Sequence, residues 1–238
     1  MNVEASGTST WEKAGLGLLT VRAQSQAFMD LMIPVVKGWL TEASIDITST
    51  GVQVHGGMGF IEETGAAQHL RDARITSIYE GTTAIQANDL IGRKIAREGG
   101  QTVKLVIAEM RRVEAQLSEA AGEEFSAIRK SLSAAVTALE EAVAYIVATY
   151  GNDIKSASVG SVPFLKLLGI VAGGWQMGRA ALVSARRLAE GGGDASFYAA
   201  KIVTARFYAD HILAQAPGLA YSVVSGAAGA LALTEDQF

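Results

Sequence analysis

GVQVHGGMGFIEETGAAQHLRDARITSIYEGTTAIQANDLIGR, residues 51–93, is the stretch around which this chain is organised. It opens with a glycine-rich turn in which Gln53 is followed by Gly56, Gly57 and Gly59. Glycine has no Cβ, so the backbone can approach a ligand closely and its N–H groups can point at phosphate oxygens. The turn is a candidate anion-binding site; the alternative is a turn that only ends the preceding helix. A Rossmann fingerprint is excluded, because the glycine spacing differs and residues 39–50 read as helix rather than strand.

The second part of the stretch contains a single glutamate, Glu80, in the sequence TSIYEGTTAIQ. Thr82 or Thr83 can cap the helix that follows it. A carboxylate near a helix N-terminus is favoured as the anion, which makes it a weak base in water. To take a proton from a carbon acid, Glu80 would need burial against apolar neighbours such as Ile78 and Tyr79. The alternative is a first-turn glutamate that only complements the helix dipole.

Three linked motifs carry a family resemblance. GVQVHGGMGF, LRDARI and IYEGTTAIQ, in this order and at this spacing, resemble the C-terminal signature of acyl-CoA dehydrogenases. The resemblance extends from about residue 16 to residue 97 and is looser in the tail. The long helical tail is similar to the large bacterial branch of that family, which carries an extra C-terminal domain.

The resemblance implies FAD-dependent dehydrogenation of an acyl-CoA thioester to a trans-2-enoyl-CoA. Glu80 matches the catalytic base that removes the α-proton, and its backbone N–H would donate to the thioester carbonyl. An electron-transferring flavoprotein is the usual electron acceptor, and a homodimer or higher homo-oligomer is expected. By the same resemblance, Tyr79 and Gly81 would border the acyl chain, and Thr82 and Thr83 would contact the flavin. The residues that would bind the ADP part of a neighbouring subunit's FAD are Gln53, Gly56 and Gly57.

The chain also departs from the family pattern. Ala84 stands where the family often has Gln or Asn, and His55 where many members have Leu. No strand-rich segment is present to form the β-domain that holds the flavin. We therefore expect a C-terminal fragment of a longer dehydrogenase that is inactive alone. The alternative is a non-catalytic helical oligomerisation or interaction module.

Composition narrows the remaining function classes. A net charge of -4 and a pI near 5.5 argue against nucleic-acid binding. The chain contains no cysteine, which excludes disulfides and thiolate sites, and its three histidines lack metal-ligand spacing. No signal-peptide pattern is seen at the N-terminus, and the apolar run 219–233 is shorter than the ~20 residues that span a bilayer. We expect a cytoplasmic protein without a metal site or a membrane span, with residues 219–233 forming a buried helix.

Apolar periodicity predicts an all-α fold of two consecutive antiparallel helical bundles, residues 1–99 and 100–238, divided at Gly99-Gly100. We expect the first bundle to be incomplete at its N-terminal side. Its predicted helices run from Ser9 or Thr10 to Pro34, from Val35 to Val54, from a Thr64 cap to Ala73, and from Thr82 or Thr83 to Gly99.

In the second bundle, we expect one helix through Val106 and Leu117 and, after Gly122, another through Phe125 and Val143. A long turn, GNDIKSASVGS, follows. The next predicted helix is capped by Ser161 and ends before Gly191-Gly192-Gly193; the last runs from an Asp194 cap to near Pro217. Glycines at four-residue spacing are expected to let soluble helices approach closely: Gly169, Gly173, Gly174 and Gly178.

Overall fold

The computed structural model describes residues 10–191 and 193–237, with side chains from residue 21 onward. Every regular element in these ranges is helical and none is a strand, which confirms the all-α prediction. The predicted Ser9 cap and the Gly192 stop lie outside the described residues.

The first helix, α1, is a single helix, Thr10–Val54, that continues through Pro34. The predicted break at this proline was therefore wrong. A proline within a helix removes one backbone hydrogen bond and crowds the preceding turn. Leu31 and Val35, on either side, are both 1% exposed, so burial in the core holds the helix together across the proline.

Shorter elements complete the first half of the chain. These are α2, Gly57–Phe60; a 3₁₀ turn, Glu62–Thr64; α3, Ala66–Thr76; and α4, Thr83–Asp89, which continues through a π-helical turn, Leu90–Ile95, and a 3₁₀ turn, Ala96–Glu98. Gly65, not Thr64, holds the cap position of α3, with a left-handed φ of 76°. Thr82 caps α4, as predicted, by accepting from the Ile85 N–H at 3.5 Å.

In the described part of the second half there are seven α-helices: α5, Gln101–Glu119; α6, Glu123–Thr149; α7, Ile154–Val159; α8, Ser161–Ala189; α9, Ala195–His211; α10, Ala216–Ser225; and α11, Ala227–Ala230. Two 3₁₀ turns, Leu213–Gln215 and Glu235–Gln237, accompany them. The positions of α5 and α6 match the prediction. The predicted long turn contains α7, which is capped by Asp153 accepting from the Ser156 N–H at 3.1 Å. Ser161 is the buried first residue of α8 rather than its cap.

The end of the chain differs more from the prediction. The Asp194 cap of α9 is confirmed, because its carboxylate accepts from the Phe197 N–H at 3.1 Å. However, α9 ends at His211 and not near Pro217, since the chain turns into α10. Residues 219–233 are not one buried helix. They divide between α10 and α11, and Tyr221 is 72% exposed.

One apolar core runs through both halves of the described chain, from Leu31 of α1 to Val223 of α10. Ile95 and Val103, on either side of Gly99-Gly100, belong to it and are fully buried. The two glycines take left-handed φ values of 65° and 75° and redirect the chain into α5. The division into two domains at this point stays a prediction.

Among the described helices, α6 alone is long and apolar enough to cross a membrane by length and composition. It packs against α5, α8, α9 and α10, and Leu132, Leu139 and Ile146 are fully buried. A helix in the centre of a bundle needs such a composition, so this packing accounts for its apolar character.

The glycines of α8 allow close helix contacts, as predicted. A Cβ at Gly169 would lie 2.5 Å from the Trp39 ring of α1, and one at Gly173 would lie 2.3 Å from the Tyr208 hydroxyl of α9. That hydroxyl donates to the Ile170 carbonyl at 3.0 Å, and burial raises the pKa of Tyr208. These contacts join α8 to α1 and α9.

The first prediction concerns the contact between α1 and α8. Gly169→Ala should lower the free energy of unfolding by about 1–3 kcal/mol, because its methyl group overpacks against Trp39. Thermal unfolding measures this, at roughly 2–4 °C per kcal/mol for a chain of this size. The control is Gly218→Ala in α10, where a Cβ meets nothing within 4 Å and alanine favours the helix. Equal melting temperatures for the two variants would contradict the proposed contact.

A second prediction concerns the ion pairs that Arg111 of α5 makes with Glu114 of the same helix and with Glu140 of α6. Arg111 contacts Glu114 and Glu140, each at 2.7 Å. Partial burial raises the pKa of Glu114, but hydrogen bonds from Arg111 and Ser133 outweigh it, so the net pKa lies below the ordinary 4.5. Stability from Glu114 is therefore present above pH 4.5 and is lost as the pH falls through the lower folded pKa.

Glu114→Gln should consequently flatten the acid side of the plot of melting temperature against pH. The exposed Glu141 of α6 provides the matched variant Glu141→Gln, which should leave the profile unchanged. A Glu114→Gln profile that superimposes on the unsubstituted one between pH 6 and pH 3 would refute the assignment.

Candidate functional site

The glycine-rich turn joins the end of α1 to α2. The Gly56 N–H donates to the Gln53 carbonyl at 3.1 Å, and Gly56 takes a left-handed φ of 60°. Gln53, Gly56 and Gly57 are exposed, and a Cβ at either glycine would meet nothing within 4 Å. The open backbone on this side is accessible to a ligand, which fits the role predicted for these three residues.

Gly59 has a different role from that predicted. It is buried, and a Cβ there would lie 2.3 Å from the Val52 carbonyl oxygen and 2.8 Å from the His55 Cβ. Glycine at this position lets α2 pack directly against the end of α1. The Gly59 backbone therefore serves packing rather than ligand contact.

Glu80 lies in the turn between α3 and α4 with a left-handed φ of 54°, the only non-glycine positive φ among the described residues. An L-residue pays roughly 1–2 kcal/mol for this conformation. Non-glycine residues held in such conformations cluster at functional sites. Gly81 follows with a φ of 96°, and a Cβ there would lie 2.8 Å from the Gln86 amide nitrogen, so glycine is required at that position.

The Glu80 side chain is exposed in this chain. Ile78 is 47% exposed and Tyr79 50% exposed. The predicted burial of the carboxylate against these two residues is therefore not provided by the chain itself. All three consecutive side chains, Ile78, Tyr79 and Glu80, are thus exposed to solvent. A dry environment for Glu80 would have to come from another surface placed over the turn.

The two threonines after Glu80 differ in what they can still offer a ligand. The Thr82 hydroxyl accepts from the Ile85 N–H, so its proton remains available for donation. The Thr83 hydroxyl donates to the Glu42 carboxylate of α1, which leaves it only acceptor capacity. Of the predicted pair, Thr82 is the one able to donate to a cofactor.

The structure does not bring the glycine turn and Glu80 together. Lys37 and Glu42 of α1 contact the segments on the two sides of Glu80, and Gln53 lies sixteen and eleven residues further along the same helix. At 1.5 Å per residue, these separations are about 24 and 16 Å along α1. Gln53, Gly56 and Gly57 therefore cannot contact the same reacting atoms as Glu80.

Sequence reasoning missed the side chains that hold the Glu80 turn. Lys37 and Glu42 come from α1, about forty residues earlier in the chain, and Gln86 reaches back to the Glu80 carbonyl at 3.5 Å. Gln86 stands within the motif IYEGTTAIQ, which could have indicated it. Lys37 and Glu42 carry no local signal, because they reach the turn only through the packing of α1 on α3 and α4.

Sequence models of two families match the chain. The family described as acyl-CoA dehydrogenase, C-terminal domain, matches residues 16–95, and the family described as acetyl-CoA dehydrogenase C-terminal like matches residues 106–234. The first match contains the glycine turn and Glu80. The second covers most of α5 to α11.

Curated relatives agree with these matches. The chain is 46% identical over 212 residues to 3-methylmercaptopropionyl-CoA dehydrogenase of Ruegeria pomeroyi, which covers 89% of the chain and 36% of the relative. It is 36% identical over 193 residues to the broad-specificity linear acyl-CoA dehydrogenase FadE5 of Mycobacterium tuberculosis, covering 77% of the chain and 31% of the relative. The chain thus spans about a third of the length of these relatives.

A third prediction follows from the conformation of Glu80. Glu80→Gly should raise the free energy of unfolding by up to about 1 kcal/mol, because glycine adopts a left-handed φ without the steric penalty. Thermal or urea unfolding measures this. Glu63→Gly is the matched control: Glu63 is exposed and has no positive φ, so glycine there should destabilise. A loss of stability in Glu80→Gly equal to that in Glu63→Gly would contradict the left-handed assignment.

Proposed function

Because this chain belongs to the acyl-CoA dehydrogenase family, in its bacterial branch with an appended C-terminal bundle, we propose that it supplies the catalytic base of an α,β-dehydrogenation. The substrate is an acyl-CoA thioester and the product a trans-2-enoyl-CoA. The observation that carries this proposal is the left-handed backbone of Glu80 within the family motif IYEG. Strain at this one non-glycine residue favours a functional role over dipole complementation alone.

Glu80 takes the α-proton of the thioester through its carboxylate. Its backbone N–H has no hydrogen-bond acceptor among the described residues, so it is available to donate to the thioester carbonyl and to stabilise the developing enolate charge. Tyr79 and Gly81 flank the carboxylate and border the acyl chain. A bound FAD, contacted by Thr82 and Thr83, would supply the hydride acceptor for the β-hydrogen, and an electron-transferring flavoprotein is the proposed electron acceptor.

The residues present fit an FAD cofactor at two separate places. Thr82, with its free hydroxyl proton, and Thr83 lie beside the base and would contact the flavin. Gln53, Gly56 and Gly57 present an open backbone about 16–24 Å away along α1, which suits the ADP part of an FAD. From the family to which the chain belongs, we propose that this FAD is a neighbouring subunit's, in a homo-oligomer in which each protomer contributes to a neighbour's cofactor site.

An exposed apolar stripe on α1 supports assembly with further polypeptide. Its members recur at helical spacing and are each about half exposed or more: Met29, Ile33, Val36, Leu40, Ile47 and Val54. A helix that is apolar on both its inner and outer faces is normally buried on both. We therefore propose that α1 and Glu80 are covered by further polypeptide, equivalent to the part of the relatives that this chain does not match. Without that polypeptide, the chain should have little or no dehydrogenase activity.

The same stripe also favours a second candidate function, a non-catalytic helical oligomerisation or interaction module. Both functions require the stripe to be covered. Only the enzymatic function requires the Glu80 carboxylate, so a change confined to that group distinguishes them.

The fourth prediction tests the base in a chimera. Replacing the aligned part of the Ruegeria relative with this chain should give a yellow protein, absorbing near ~450 nm, that oxidises methylthiopropanoyl-CoA with an artificial electron acceptor. Glu80→Gln in the chimera should lower kcat by about 10²–10⁴-fold while flavin absorbance is retained, because the amide cannot accept the α-proton.

The matched control is Glu63→Gln, an exposed glutamate near the glycine turn, which should leave kcat unchanged. Undiminished turnover in the Glu80→Gln chimera would remove the residue from the mechanism. Clear turnover by the present chain alone, supplied with FAD, would refute the proposed need for further polypeptide.

A further inference from the structure

The segment that leads into Glu80 is held by a lysine from another helix. The Lys37 ammonium group of α1 donates to the carbonyl of Thr76, the last residue of α3. The same ammonium lies 5.1 Å from the centre of the Tyr79 ring, within cation–π range. One side chain thus contacts both the end of α3 and the residue before Glu80.

The segment that follows Glu80 is held from the same helix. The Thr83 hydroxyl, at the first residue of α4, donates to the carboxylate of Glu42. Lys37 and Glu42 are five residues apart on α1, so a short section of one rigid helix contacts the chain on both sides of the turn. Hydrogen bonds to charged groups are stronger than those between neutral groups.

The turn needs such support because its conformation is unfavourable locally. The nearest backbone hydrogen bonds are those from the Ile78 and Tyr79 N–H groups to the Ile75 carbonyl, at 3.0 and 3.1 Å. They end before Glu80, and the long Gln86 contact at 3.5 Å adds little. A strained backbone conformation persists only when contacts from the surrounding structure hold it in place.

We propose that Lys37 and Glu42 are positioning residues that hold Glu80 in its left-handed conformation by securing the chain on each side of it. The assignment of Glu80 as the base of a dehydrogenase rests on the function proposed above. The effect of Lys37 and Glu42 on the Glu80 conformation is a property of this chain and can be measured without enzymatic turnover.

The experiment compares Lys37→Met, Lys37→Arg and Lys166→Met in the present chain by NMR. Met keeps most of the length and apolar character of lysine but cannot donate, Arg restores a cationic donor, and Lys166 is an exposed lysine of α8 that serves as the matched control. The Cα and Cβ shifts and the HN–Hα coupling of Glu80 report its φ. Amide exchange at Ile78 and Tyr79 reports the opening of the turn.

Lys37→Met should move the Glu80 signals away from left-handed values and speed exchange of the two amides about tenfold, whereas Lys37→Arg and Lys166→Met should resemble the unsubstituted chain. A role confined to helix packing would lower the melting temperature and leave the Glu80 signals of the folded protein unmoved. That result, or a Lys37→Arg variant that behaves like Lys37→Met, would overturn the proposal.

Thr83→Val gives an independent readout if Lys37→Met fails to fold. It removes only the hydroxyl that donates to Glu42 and keeps the shape of the side chain. Altered Glu80 signals would support a role of the Thr83–Glu42 hydrogen bond in the Glu80 conformation, and unaltered signals would overturn it. Glu80→Gln in the chimera tests the base separately, so a failure of one proposal leaves the other identifiable.

Discussion

The rigid section of α1 from Lys37 to Val54 sets where the candidate site residues of this chain lie. It belongs to one helix that continues through Pro34, because burial of Leu31 and Val35 offsets the hydrogen bond that the proline cannot make. The start of this section contacts the turn that carries Glu80, and its C-terminal end leads into the glycine turn. A bend within this section, which lies wholly after the proline, would change the separation between the two turns.

The same helix joins the two halves of the chain. Trp39, which lies between Lys37 and Glu42 in the sequence of α1, packs onto the bare backbone of Gly169 in α8. Through this contact and the shared apolar core, the second half supports the element on which the candidate site depends.

The exposure of Glu80 and the apolar outer face of α1 have a common explanation. A carbon-acid base works best when apolar surroundings exclude water, and this chain leaves Glu80, Ile78 and Tyr79 open to solvent. It also leaves a row of apolar side chains uncovered along α1. Covering that row would bury apolar surface, and the same covering polypeptide could close over the base. Burial of the same apolar surface would then stabilise the assembly and exclude water from the base.

Features that depend on a few neighbouring residues can be predicted from the sequence. Apolar periodicity predicts an all-α chain, the residue types at Thr82 and Asp194 predict helix caps, and the spacing of the motifs indicates the family. Other features become visible only once the helices are packed: the continuity of α1 through Pro34, the left-handed φ and exposure of Glu80, the packing role of Gly59, and the contacts made by Lys37 and Glu42. The difference is one of range, because caps and periodicity act over one or two helical turns. Burial, backbone strain and contacts between residues forty positions apart depend on how whole helices pack.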